Sequence, residues 1–172
     1  GVAYVLYRDH GYDLPRWLQI DFSSAVQHLA EQSEAEVASD QIHQLFCDTY
    51  LNVPGAWSLG RYEVTKDDTE HQLTAVLGAG DSEIRIQGRG TGVLDAFIDA
   101  MEQVTGKKMV LVEYSEHTLG QSSDAEAVCY VQLNIDGARP CGVGRSNDIV
   151  QATLNAILSA LKGHCQLTEQ VA

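Results

Sequence analysis

Two glycine pairs carry the most suggestive spacing in this sequence. Gly88-Arg-Gly90-Thr-Gly92 precedes a helical pattern with Ala96 and Ala100 four apart, and Gly142-Val-Gly144 precedes one with Ala152 and Ala156 four apart. The second copy has two extra residues between its glycines and its alanines. Read as turns from a strand into a helix N-terminus, such segments gather free N–H groups and the positive end of the helix dipole, which suits a carboxylate. Glycine also lets the backbone approach a ligand closely. Neither copy is a Walker loop, since no Gly-Lys-Ser/Thr follows, and neither stands in a βαβ pattern as a dinucleotide fingerprint must. The plainer alternative is that the glycines only turn the chain.

Other groupings have less behind them. His43 and Cys47 have the i, i+4 spacing of a metal-ligand pair, but no second pair accompanies them. His117, Ser122 and Asp124 could be arranged as a nucleophile triad, yet no nucleophile elbow surrounds the serine. Asp67-Asp68 reads as a solvated turn. Tyr114 is either a core aromatic or a lid over a ligand. His164 and the residues after it read as a frayed tail. Of the four cysteines, Cys47, Cys129, Cys141 and Cys165, none forms a CxxC pair, and Cys47 and Cys129 read as small buried hydrophobes.

Helices and strands must position these groups. Over the first fifty residues the pattern is helical. Val2, Val5 and Leu6 share a face ending at Gly11, Asp13 offers an N-cap with Pro15 in the first turn, and Leu14, Trp17, Leu18, Phe22, Val26 and Leu29 follow at helical spacing. Residues 31–38 read as a loop. Ser39 can cap a further helix carrying Ile42, Leu45, Phe46 and Tyr50, and Pro54-Gly55 ends the block. From Trp57 the period becomes alternating, at Tyr62 and Val64, then Leu73, Ala75 and Leu77, then Ile84 and Ile86, with turns at Asp67-Asp68 and residues 78–81. A helix over Val93 to Met101 ends near Gly106. The pattern then recurs: a strand at Met109 to Val112 with its tail at Tyr114, a turn-rich stretch 114–124, a strand Ala125 to Ile135, a hairpin turn at Asp136-Gly137, a strand Ala138 to Val143, and a helix from Ile149 to Leu161 with Gly163 beyond.

The fold class expected is therefore α+β: duplicated βββα units with internal pseudo-twofold symmetry, over 56–106 and 107–163, preceded by a small helical subdomain over 1–55 and followed by a tail over 164–172. The half-polar strands call for one covered sheet face, supplied by the two helices, with the other face bare or partnered.

With 172 residues, 11 Lys+Arg and 24 Asp+Glu, the net charge is −13. That balance argues against nucleic acid and anionic membrane surfaces as partners, because both need clustered cations. No window approaches a membrane span. The start, Gly1-Val-Ala-Tyr4, carries neither an initiator Met nor a signal, so a piece of a longer cytoplasmic protein with reduced thiols is expected.

At this point the letters resemble a family. Gly88-Arg-Gly-Thr-Gly-Val-Leu-Asp-Ala96, Tyr114-Ser-Glu-His117, Asp124-Ala-Glu-Ala127 and Gly142-Val-Gly144 resemble the C-terminal regulatory domain of 2-isopropylmalate synthases. Gly1-Val-Ala-Tyr4, Asp9-His-Gly11, Leu14-Pro-Arg16 and Leu18-Gln-Ile-Asp-Phe22 resemble the helical linker before it, so nearly the whole chain is covered. The resemblance implies an allosteric module that dimerises and binds L-leucine. The enzyme it regulates condenses acetyl-CoA with 2-oxoisovalerate in a TIM barrel holding a divalent metal. That barrel is missing here, so the segment is expected to need no cofactor and to be inactive alone. Carried over residue by residue, the effector positions fall on Gly90, Gly92, Leu94, Asp95, Leu111, Tyr114, Thr118, Ala125, Ala127 and Ile149. Asp95 and Thr118 are more polar than in some relatives. The related citramalate synthases sense isoleucine with a similar domain, and one methyl shift is worth only about 1–3 kcal/mol. A pure dimerisation module and an enzyme acting through His117 are the competing readings.

Overall fold

A computed structural model describes residues 1–53, 56–121 and 123–162. Ser122, the boundary at Pro54-Gly55, Gly163, His164, Cys165 and the expected tail lie outside the described residues. The helical part comprises α1 (Val2–His10), α2 (Arg16–Gln32) and α3 (Ser39–Phe46), which runs on into a π-helical turn, Cys47–Leu51. Gly11 closes α1 in the left-handed conformation, as its position predicts. The other two caps differ from expectation. Asp13 does not cap α2; Pro15 holds the N-cap position with an extended backbone, and its carbonyl accepts from the N–H groups of Leu18 and Gln19. An Asp13 cap would need Leu14 to be helical, and the residue before a proline avoids that region. Ser39 does not cap α3 either. Ala38 holds the cap position, with its N–H donating to Gln41 Oε1 at 2.9 Å, while Ser39 Oγ reaches across to the Asp9 carboxylate at 2.7 Å.

Two βββα units follow: β1 (Ser58–Lys66), β2 (His71–Ala79), β3 (Ser82–Gly90) and α4 (Val93–Thr105), then β4 (Met109–Leu119), β5 (Glu126–Ile135), β6 (Cys141–Ser146) and α5 (Ile149–Leu161). Each unit is a three-stranded antiparallel sheet in sequential order, so the duplicated α+β class stands. The β2–β3 hairpin turn is tighter than expected, because Gly78 and Ala79 belong to β2 and only Gly80-Asp81 turn. β4 is longer than expected. A bulge between Leu111 and Glu113 breaks the alternation, and the strand resumes in the other parity, with Tyr114, Glu116 and Thr118 paired to Val131, Cys129 and Ala127. The stretch 114–119 is strand, not turn. β6 begins later than expected, at Cys141, because Pro140 has no N–H for the ladder.

The glycine pairs are strand residues rather than turns. A Cβ on Gly88 would lie 2.1 Å from Ala96 O and 2.6 Å from Ala100 N; one on Gly142 would lie 2.1 Å from Ala156 O and 2.3 Å from Ala160 N. They are glycine because each helix backbone lies directly on its last strand. The repeat signal is therefore sound, but its alanine pairing shifts by one helical turn. Ala96 and Ala100 correspond to Ala156 and Ala160, and α5 starts earlier relative to its sheet.

One core joins α4 and α5 to the inner faces of both sheets, through Leu73, Leu77, Phe97, Met101, Val131 and Leu133. A second core lies on the far face of the second sheet. There Val128, Tyr130, Cys141 and Val143 pack against Leu6, Tyr12, Phe22, Phe46 and Tyr50 of the helical part. β5 is thus covered on both faces; of the two outcomes open to the second face, bare or partnered, this sheet takes the partnered one. Cys129 is buried as expected, whereas Cys47 is only half-buried. Among the described residues no helix is long and apolar enough to cross a membrane, and no cluster of three or more metal-ligating side chains occurs.

Candidate functional site

The residues singled out in the sequence fall into two groups, one per repeat. In the first, Gly90 closes β3, Gly92 is the N-cap of α4, and Leu94 and Asp95 lie in its first turn. No side chain caps this helix; Thr91 Oγ1 donates to Asp95 Oδ2 at 2.5 Å instead. A Cβ on Gly90 would meet Asp95 Cβ at 2.6 Å, while one on Gly92 would meet nothing within 4 Å. His71 pairs with Gly90 across the ladder, and its Nδ1 is buried with no partner among the described residues. The other helix start is occupied: Asp148 Oδ1 accepts from Val150 N–H at 2.9 Å, and its second oxygen accepts from the Tyr62 hydroxyl. Both bonds favour the Asp148 carboxylate, the Tyr62 one most, and lower its pKa.

The second group lies on the inner side of the second sheet. Because of the β4 bulge, Leu111, Tyr114 and Thr118 share one face, with Thr118 paired to Ala127 and Ala127 to Ser146. Ala125 immediately precedes β5. Tyr114 Oη donates to Glu116 Oε2 at 2.6 Å and lies 3.3 Å from Thr153 Oγ1 and 3.6 Å from Cys129 Sγ. Burial and the Glu116 bond raise the Tyr114 pKa, so the phenol stays protonated. Ile149 stands one turn before Thr153, whose hydroxyl donates to the Ile149 carbonyl at 2.9 Å. Tyr114 is 37% exposed and Ile149 42%, two large side chains with much of their surface open. Glu116 and Thr153 belong to this face and were not singled out. The parity switch at the bulge conceals Glu116; the i, i+4 spacing of Thr153 from Ile149 was the signal for the second.

Two open clefts lie elsewhere. One, about 970 Å³, sits on the first sheet beside Arg61, Glu63, Val76 and Arg85; the other, about 610 Å³, lies between the π-turn, the start of β1 and α5. None of the ten singled-out residues lines either.

The other sequence candidates find structural roles. His43 stacks on His10 at 3.9 Å between ring centroids, and its Nε2 lies 3.5 Å from Cys47 Sγ. Burial of the imidazole lowers the His43 pKa, and neighbouring His10 adds to that. Nε2 of His117 accepts from Asp13 N–H at 3.3 Å and lies 2.6 Å from the Tyr130 hydroxyl. This assigns the proton to Nδ1, which faces the Thr118 carbonyl at 3.1 Å. His117 is thereby a brace for the helical part.

Residues 36–164 match the family model described as the LeuA allosteric (dimerisation) domain. The chain belongs to this family. Its curated relatives include 2-isopropylmalate synthases of Mesorhizobium japonicum (38% identical, covering 93% of this chain and 29% of the relative), Alcanivorax borkumensis (34%; 99% and 31%) and Thermobifida fusca (39%; 94% and 28%). The chain spans about three-tenths of the length of these relatives. The LeuA-domain match takes in α3 as well as both βββα units.

Proposed function

We propose that this LeuA-type domain binds free L-leucine, dimerises, and serves as the feedback-inhibition module of a cytoplasmic 2-isopropylmalate synthase, the enzyme that joins acetyl-CoA to 2-oxoisovalerate in a metal-dependent barrel. The observation that carries the reading is the part-exposed Tyr114, which meets Thr153 one turn after the exposed Ile149 and shares its strand face with Thr118, the partner of the small Ala127. A branched aliphatic tail suits that apolar ledge, where the alanine leaves it room. The carboxylate suits the uncapped start of α4 at Gly92, with the orphaned His71 Nδ1 nearby in the ladder. The ammonium suits Asp95 or Glu116. In this reading the pocket is completed where the two repeats, or two copies of the chain, close on one another. Leucine then favours one arrangement of that contact, and its differential affinity is the coupling, typically about 1–3 kcal/mol.

Thermal melting with and without L-leucine tests this. At a ligand concentration about 100-fold above the dissociation constant, linkage adds roughly 2.7 kcal/mol, a rise of a few degrees. D-Leucine should give no rise, and Ala127→Leu should abolish the response by filling the ledge. A melting curve indifferent to leucine, isoleucine and valine alike would leave only a dimerisation role.

A further inference from the structure

The second sheet is one layer thick, and its two faces do different things at the same three places. On the inner face Thr118, Ala127 and Ser146 form a cross-strand row beside the proposed leucine ledge. Their immediate chain neighbours His117, Glu126 and Arg145 point to the opposite face, because successive strand residues alternate. All three hold or brace the loop between α1 and α2. Arg145 Nη1 donates to Tyr12 Oη at 2.7 Å, and Glu126 fixes the guanidinium through two further bonds, Nε to Oε2 at 3.0 Å and Nη2 to Oε1 at 2.8 Å. His117 takes the Asp13 N–H. Tyr12 is 1% exposed and its ring packs at a tilt against Phe46, 4.7 Å between centroids, so its hydroxyl is aimed by a packed ring. A forked guanidinium held by a carboxylate is a directional contact, sensitive to small shifts of its strand. Ser146 also accepts from Asp148 N–H at 3.1 Å, tying the same corner of β6 to the start of α5.

We propose that His117, Glu126 and Arg145 form a relay by which occupancy of the inner face reaches the helical part through Tyr12 and Asp13. Arg145 is the positioning residue of this relay. The inference rests on the leucine reading but concerns a separate set of residues. A ligand seated on Thr118 and Ala127 draws β4, β5 and β6 into one fixed register. The outer row then holds the 11–15 loop more tightly.

The test is amide hydrogen exchange on the whole chain, with and without saturating L-leucine, together with calorimetric titration. In the wild type, leucine should slow exchange across residues 11–18 several-fold. Tyr12→Phe removes the hydroxyl alone. It should bind leucine within about twofold of the wild type, exchange faster at 11–18 without ligand, and lose the leucine-dependent slowing. Arg145→Met should do the same. Equal slowing in wild type and Tyr12→Phe, or leucine binding that leaves residues 11–18 of the wild type unchanged, overturns the relay while leaving the effector reading intact. Absence of binding heat in the wild type overturns both.

Discussion

The two βββα units share their order of elements, their sequential antiparallel sheets and their glycine-on-helix contact, yet one is buried on both faces and the other on one. The difference is written in their central strands. β2 alternates buried Leu73, Ala75 and Leu77 with Thr74 and Val76, which are exposed and half-buried. In β5 the run Ala127 to Val131 is buried without a break. An alternating strand can face water, whereas a continuous apolar run needs cover on both sides, and here the helical part supplies it. A duplicated unit thus became asymmetric: one copy keeps a polar outer face, and the other is fused to the segment whose relatives continue into the rest of a synthase.

The largest test of this contrast is Tyr130→Ala set against Val76→Ala. Tyr130 is fully buried beneath the helical part and bonded to His117. Its truncation should cost about 3–5 kcal/mol, as for large buried aromatics. Val76 sits on the bare side of β2 and should cost within about 0.5 kcal/mol. Urea denaturation of both variants checks the pair, and similar losses would mean that the first sheet is also covered in solution.

The glycine contacts should erase the contrast. Gly88→Ala and Gly142→Ala each drive a methyl group into helix backbone at 2.1 Å. Each should cost roughly 1–3 kcal/mol or more, the range of overpacking where backbone must shift. Gly92→Ala, with open space at its Cβ, should cost no more than about 0.5–1 kcal/mol as a weaker cap. A mild Gly142→Ala would break the claim that α5 lies directly on β6.

This is also where the sequence was most and least legible. The four-element repeat, the order of strands and the Gly106 and Asp136-Gly137 stops could be read, because periodicity and turn chemistry are local. Asp136 and Gly137 both adopt positive φ, as that hairpin requires. The bulge after Leu111 could not be read, since one unpaired residue flips the parity of everything that follows. Nor could the role of the glycines: a residue chosen to admit a helix looks the same in letters as one chosen to turn a chain. The residues proposed to face the effector were carried by resemblance. Only their common face, set by the bulge, is a product of the three-dimensional structure.

Cover has an electrostatic cost, which pH should reveal. Lys162 ends α5 beneath the helical part, with its Nζ buried, 4.4 Å from the Tyr50 ring centroid and without a hydrogen-bond partner among the described residues. Burial lowers its pKa from 10.5 to about 8, opposed by Asp21 and Cys141 nearby. Between those values the unfolded chain holds the proton and the folded chain does not, so stability should rise with pH across that window and stay at its lower level below about 8. The gain should be about 2 kcal/mol, less than the full shift implies once local relaxation is allowed. Lys162→Met should be more stable at pH 7 and lack the rise. A pH profile parallel to that of the wild type would show that the ammonium already reaches water.

The smallest effect separates the two helix starts. Asp148→Ala removes the α5 cap and the acceptor of the Tyr62 hydroxyl together, and should cost about 1 kcal/mol by denaturation. Tyr62→Phe isolates the second bond and should cost less, since a partly exposed hydroxyl can turn to water. At the other start, Gly92→Ser adds a cap that α4 lacks and should gain a few tenths of a kcal/mol. If leucine's carboxylate occupies the same N–H groups, that serine must compete with it, so the stabilised variant should bind leucine more weakly. Asp148→Ala should leave leucine affinity close to that of the wild type, because the α5 start is already closed by its own side chain. A Gly92→Ser variant both more stable and equally responsive to leucine would move the carboxylate away from α4, leaving the Tyr114 ledge as the only anchored part of the pocket.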